Sequence, residues 1–109
     1  MTVQTIDPDP GRQVFDAIVF GEREEGRWMA GSDSFLRTED LGGEPETEAV
    51  GAFVHVAIAY DEDGTIRFYR NGQAYGKPVK KPGPVTFKAG EARVVFGARA
   101  LPPGAGACA

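Results

Sequence analysis

The stretch Phe53-Val-His-Val-Ala-Ile-Ala-Tyr60-Asp-Glu-Asp-Gly64-Thr-Ile-Arg-Phe-Tyr69-Arg-Asn71-Gly72-Gln-Ala-Tyr75 decides how this chain folds. Strand-like runs rich in β-branched and aromatic residues are parted by Asp-Glu-Asp-Gly and by Asn-Gly, which are strong hairpin signals. The pattern predicts a three-stranded antiparallel meander. A connection of Glu62, Asp63 and Gly64, with the glycine in the left-handed conformation, pairs Tyr60 with Ile66 and Ile58 with Phe68. The alternative two-residue turn at Asp63-Gly64 sets Ile58 against Tyr69 and Tyr60 against Arg67. A slip of one residue exchanges the two faces of a strand, so the bulged connection, which matches apolar with apolar, is the expected one. At Asn71-Gly72 a two-residue primed turn sets Phe68 opposite Tyr75 and Tyr69 opposite Ala74. One face then carries Val56, Ile58, Tyr60, Ile66, Phe68 and Tyr75 and reads as core. The other carries His55, Ala57, Ala59, Arg67, Tyr69 and Ala74, polar at its margins and small at its centre.

Outward from the meander the signals weaken. Val3 to Ile6 reads as a short edge strand ahead of the Asp-Pro-Asp-Pro-Gly breaker at residues 7–11. Val14 to Phe20 reads as a strand apolar on both faces, which suits a place between layers. Trp28 to Ala30 and Phe35 to Arg37 read as short strands joined by residues 31–34, and Thr38 to Glu48 as a surface loop with almost nothing to bury. Gly76 to Gly90 is broken by prolines, with Val85 and Phe87 as anchors; Ala92 to Phe96 is a further strand. The expected organisation is an edge strand and linker over residues 1–13, a β domain over 14–99 and a flexible tail over 100–109.

Composition agrees with an all-β fold. At 109 residues the chain has room for one core. Fifteen glycines and eight prolines, with valine and phenylalanine far outnumbering leucine, favour short strands and turns over helices. No apolar run is long enough to span a bilayer, and Asp7 and Asp9 lie where a signal peptide needs an apolar core. Cys108 is the only cysteine, which rules out an internal disulfide or a cysteine metal cage.

Charge is divided along the chain. Residues 1–63 hold 15 of the 16 acids against four arginines, a net −11; residues 64–109 hold Glu91 against eight Lys and Arg, a net +7. Such a division marks either a basic surface for a polyanion or two segments of opposite sign laid across each other. The bases around Pro78, Pro82 and Pro84 form no contiguous stripe and the whole chain is acidic, so nucleic acid is not an expected partner.

His55-Val-Ala-Ile-Ala-Tyr60-Asp followed by Gly64-Thr-Ile-Arg-Phe-Tyr69-Arg-Asn71-Gly72 resembles the signature hairpins of laminin-G-like domains in the concanavalin A-like lectin/glucanase superfamily. Asp16-Ala-Ile-Val-Phe-Gly-Glu-Arg, Trp28-Met-Ala-Gly-Ser and Val95-Phe-Gly-Ala-Arg99 resemble a bacterial, cell-envelope branch of it, in the same order, over residues 14–99. The resemblance implies an antiparallel jelly-roll-like sandwich that binds glycan or protein, catalytic only in some relatives, and an extracellular or periplasmic location. The chain is shorter than is usual for such domains and lacks the closing strand after Arg99. The resemblance therefore implies an incomplete sandwich with an unpaired sheet edge.

The candidate chemistry is that of recognition. Tyr69 can stack on a sugar ring while Arg67 and His55 donate to hydroxyls over a floor of Ala57, Ala59 and Ala74, and Trp28 can act similarly from a neighbouring strand. Each also has a plainer reading: Tyr69 capping the sheet, Arg67 solvated, Trp28 in the core, His55 making one strand hydrogen bond. A glycosidase needs two facing carboxylates. Glu44, Glu46 and Glu48 alternate, but Pro45 and Gly42-Gly43 make theirs a solvated loop, so no enzyme is expected. Asp61 and Asp63 can offer oxygens to calcium, which takes about six to eight, yet aspartates in hairpin loops are ordinarily turn formers. No cofactor is therefore expected. His55 alone cannot build a zinc site. The expected function is a non-catalytic, carbohydrate-binding module of a larger envelope or secreted protein. The alternative is a structural or protein-interaction β domain without a small ligand.

Overall fold

The computed structural model describes residues 1–6, 14–32, 39–82 and 85–97, with only the backbone at Ser32 and Glu39. Among these residues there is no helix. The strands are β1 (Thr2–Thr5), β2 (Phe15–Phe20), β3 (Trp28–Ser32), β4 (Glu39–Asp40), β5 (Val56–Tyr60), β6 (Thr65–Arg70), β7 (Gln73–Ala74), β8 (Val79–Lys80) and β9 (Ala92–Val95). They form two antiparallel sheets. The first runs β4-β3-β2-β1-β9; in the second β6 is flanked by β5 on one side and by β7 and then β8 on the other.

The meander forms in the register its apolar pattern requires. Tyr60 pairs with Ile66, Ile58 with Phe68 and Ala57 with Tyr69. The Asp61 N–H donates to Thr65 O at 2.9 Å and the Gly64 N–H to Asp61 O at 3.0 Å, enclosing Glu62, Asp63 and Gly64. Gly64 sits at φ +89°, and Asn71 and Gly72 at +49° and +78°, so both reversals have the left-handed residues that match strand twist. Tyr69 pairs with Ala74, and the Tyr75 N–H donates to Phe68 O at 2.8 Å.

One core cluster lies where the sheets face each other, while Phe15, Ala17, Met29 and Val95, of opposite parity to Ile18 and Trp28 on the first sheet, are buried on that sheet's other face. Leu41, Phe68 and Tyr75 are buried together, with Ile18, Trp28, Val56, Ile58 and Val79 packed around them. The Trp28 ring stacks on Phe68 at 6.5 Å and meets Phe20 at 4.8 Å, while Phe68 meets Tyr75 at 5.4 Å. Each such side chain removed from water contributes roughly 1.5–3 kcal/mol. This aromatic line from β2 through β3 and β6 to Tyr75 ties one sheet to the other.

Three local expectations change. Val3 lies on an inner strand, because β9 returns to pair with the side of β1 that β2 leaves open. The segment from Thr38 to Glu48 is not wholly surface: Leu41 is 3% exposed in the core and Gly43 is buried. Gly43 lies so close to the ring of Tyr75 that a Cβ would overlap it, which is why this acidic, glycine-rich run can lie flat across the sandwich. Gly31 and Ser32 continue β3 instead of linking two strands. The expected strand at Phe35 to Arg37 and the expected tail over residues 100–109 fall outside the described residues.

The first sheet is wider than the second. Between β1 and β2 of the first sheet and β5 of the second lies a crevice of about 430 Å³, lined chiefly by Val3, Ile18, Val56, Ile58, Tyr60 and Phe87.

Candidate ligand face

Alternation along β5 and β6 sends Ile58, Ile66 and Phe68 inward and leaves Ala57, Ala59, Arg67 and Tyr69 on the outer face of the second sheet. His55, just before β5, is exposed, and its backbone is pinned to the second turn. Its N–H donates to Asn71 Oδ1 at 2.9 Å, and its carbonyl accepts from the Asn71 N–H at 2.8 Å. Arg67 lies across from Ala59, and its Nε donates to Asp61 Oδ2 at 3.1 Å with both side chains more than two-fifths exposed. Tyr69 is half-buried between Ala57 and Ala74. Beside it a depression of about 50 Å³ is lined by Arg67, Tyr69, Ala74 and Pro78, where β7 ends and β8 has yet to begin. One face thus gathers an aromatic ring, a guanidinium and an imidazole over an alanine floor.

Trp28 is not among them. It belongs to the other sheet, faces the interior between Phe20 and Phe68, and its Nε1–H donates to Glu46 Oε1 at 2.9 Å. The pairing of Trp28 with Phe20 in the β2–β3 register sends its ring toward the second sheet, so the two sides of the sandwich separate it from Tyr69.

Glu46 is the residue the sequence reading placed least well. Its side chain is 3% exposed, against the expectation of a solvated loop. Arg70 Nε and Nη2 donate to its two oxygens, both at 2.8 Å, and Nη2 also reaches Glu48 Oε2 at 2.8 Å. Glu46 Oε2 further accepts from the Glu48 N–H at 2.9 Å and the Ala49 N–H at 3.3 Å. The Arg70 guanidinium first, then the Trp28 indole and the Glu48 amide, hold the Glu46 carboxyl well below the usual carboxylate range, while Arg70 is pushed above its ordinary value by Glu46 and Glu48. A carboxylate held below its ordinary range is ionised at neutral pH, so Glu46 is not a proton donor there. One signal was present: Arg70 has the inward parity of Ile66 and Phe68, and an arginine in that position needs an acid.

The hairpin aspartates are engaged within their own turn. Asp61 holds Arg67, while Asp63 Oδ1 accepts from the Thr65 N–H at 2.9 Å and its Oδ2 lies 3.8 Å from Lys80 Nζ. The hydrogen bonds from Thr65, then the charges of Lys80 and Arg67, lower the Asp63 pKa. Among the described residues no three His, Cys, Asp or Glu side chains cluster as a metal site would need. No helix among them is long and apolar enough to cross a membrane.

A laminin-G model of the concanavalin A-like lectin/glucanases superfamily matches residues 4–107. Neither a curated protein nor a solved structure matches the chain.

Proposed function

Because this chain belongs to the laminin-G-like domains of the concanavalin A-like lectin/glucanase superfamily, a sandwich fold whose usual work is binding, we propose that it is a non-catalytic recognition module for carbohydrate. The observation that carries this reading is the outer face of the meander. His55 and Arg67 stand exposed on either side of the alanine floor, and Tyr69 offers its ring beside the depression at Pro78. An aromatic ring supplies an apolar platform for the C–H face of a sugar, and the guanidinium and imidazole supply donors for its hydroxyls. A shallow open face suits a saccharide chain lying across it, with direct and water-mediated hydrogen bonds. Calcium is not part of this reading, since the hairpin carboxylates already serve Arg67, Thr65 and Lys80. Nor is hydrolysis, since Glu46 and Glu48 are held by Arg70. In this reading the module belongs to an extracellular or periplasmic protein, as the resemblance to the cell-envelope branch implies.

A glycan array probed with and without calcium, then with Tyr69→Ala, tests the proposal. Binding that is indifferent to calcium and lost in Tyr69→Ala is the expected result. Absence of binding in both conditions would shift the role to the structural, protein-joining alternative. Release of reducing sugar from any glycan would contradict the non-catalytic reading.

A further inference from the structure

Phe53 is fully exposed, yet the segment that carries it is held at both ends. On the N-terminal side the Glu48 and Ala49 N–H groups donate to Glu46 Oε2 at 2.9 and 3.3 Å, and the Gly51 and Ala52 N–H groups donate to Glu48 O at 3.1 and 3.0 Å. On the C-terminal side His55 is tied to Asn71 through both its N–H and its carbonyl. A single apolar side chain on a surface is ordinary. What distinguishes Phe53 is the place where this fixed segment presents it.

The bonds between His55 and Asn71 carry the β5–β6 pairing one step beyond Val56 and Arg70. Residues 53–55 make neither turn nor bend, and exposure alternates along them: Phe53 and His55 are exposed and Val54 is half-buried. Phe53 therefore shares the parity of His55, Ala57 and Ala59 and stands at the end of the outer face of the second sheet. Tyr69 lies opposite Ala57 on that face. Four residues of extended chain separate Ala57 from Phe53, about 13 Å at roughly 3.3 Å per residue, so one sugar unit is too short to touch both rings. The two cations that the register places on this face are both paired. Arg67 holds Asp61, and Lys80, opposite Thr65 and so on the same side as Arg67, lies 3.8 Å from Asp63. Charges that are already answered do not select a polyanion.

We propose that Phe53 is a second aromatic platform on this face, and that the ligand is an uncharged, linear oligosaccharide of several units laid along β5 from Tyr69 past His55 to Phe53. Each ring covers the C–H face of one sugar unit, and the His55 imidazole lies between the two rings to meet hydroxyls. The loop keeps Phe53 in place before the ligand arrives, so little ordering is needed on binding. Affinity then rises with chain length once the chain reaches Phe53. The assignment of Phe53 rests on the carbohydrate reading and adds to it the length and the charge of the ligand.

The test is calorimetric titration of the full chain with β-1,4-linked oligomers of glucose, mannose and N-acetylglucosamine, two, four and six units long, and with α-1,4-linked galacturonate oligomers of the same lengths. In at least one neutral series the six-unit oligomer should bind about tenfold or more tighter than the two-unit one. Phe53→Ala, a change at an exposed site that spares the fold, should erase that ratio, and Phe53→Tyr should preserve it. Tyr69→Ala should weaken binding at every length. A neutral series whose binding needs Tyr69 but whose length dependence survives Phe53→Ala would overturn the proposal and leave the carbohydrate reading standing. So would a preference for galacturonate, or failure of every neutral series while the chain binds some other glycan on an array. A blank array would remove the carbohydrate reading and this proposal together.

Discussion

Arg70 and Glu46, far apart in sequence, meet through two parallel hydrogen bonds of 2.8 Å, and the same carboxylate receives the indole N–H of Trp28 at 2.9 Å. The guanidinium is the last inward side chain of β6, and the indole belongs to β3. Glu46 therefore joins both sheets through one loop residue. A bidentate pair of this kind is directional, so it fixes where the acidic loop crosses the end of the sandwich.

Acid should loosen this joint. The Glu46 pKa is depressed in the folded chain, so its contribution is fully present above the ordinary glutamate pKa of about 4.3 and is lost as pH falls toward the folded value. Urea midpoints measured from pH 7 to pH 2 should fall below about pH 4 for the native chain. Glu46→Gln should begin lower at pH 7 and decline less steeply through the acid range. Parallel curves for the two proteins would show that Glu46 is not the group responsible.

Tyr75 and Gly43 should prove equally demanding. The Tyr75 hydroxyl donates to Glu44 O at 2.6 Å and accepts from the Trp28 N–H at 3.2 Å, so Tyr75→Phe strands both groups. A loss of about 1–3 kcal/mol in unfolding free energy is expected. Gly43→Ala drives a methyl into the Tyr75 ring and should cost about 1–3 kcal/mol by overpacking. A neutral Gly43→Ala would mean that the ring has room to move.

The two aromatic candidates should separate by stability. Trp28→Ala removes a ring stacked between sheets and the donor to Glu46, and should destabilise by about 3 kcal/mol or more. Tyr69→Ala, on the outer face, should cost about 1 kcal/mol and chiefly affect ligand binding. Equal losses in chemical denaturation would place Tyr69 in the structural frame with Trp28.

The Asn71-Gly72 reversal offers a control at a site free of packing. Nothing lies within 4 Å of a Cβ built on Gly72, whose φ is +78°. Gly72→Val should therefore cost about 1–2 kcal/mol through backbone conformation alone. Its native-state spectrum should keep the β5–β6 contacts, and a changed register would show that this turn, beyond closing the hairpin, selects the pairing.

The meander was legible because its determinants are local. Two reversals and a period-two alternation are properties of adjacent residues, and only one register pairs Ile58 with Phe68 and Tyr60 with Ile66. Those same rules separated His55, Arg67 and Tyr69 from the core face before any tertiary contact was known. The inner position of β1 was not legible, since it depends on β9 returning from the far end of the chain, and short strands carry no sign of their neighbours. Trp28 was ambiguous for the same reason: its own segment allows it to face either way, and Phe68 and Glu46, distant in sequence, decide the matter.

By itself, then, the order of residues determined strand, turn and face, because each follows from steric and solvation preferences acting over a few bonds. The meeting of Arg70 with Glu46, the burial of Leu41 and the inner place of β1 in the first sheet were settled only when distant segments packed. Their free energy comes from excluding water between groups that the chain does not hold near one another until it folds.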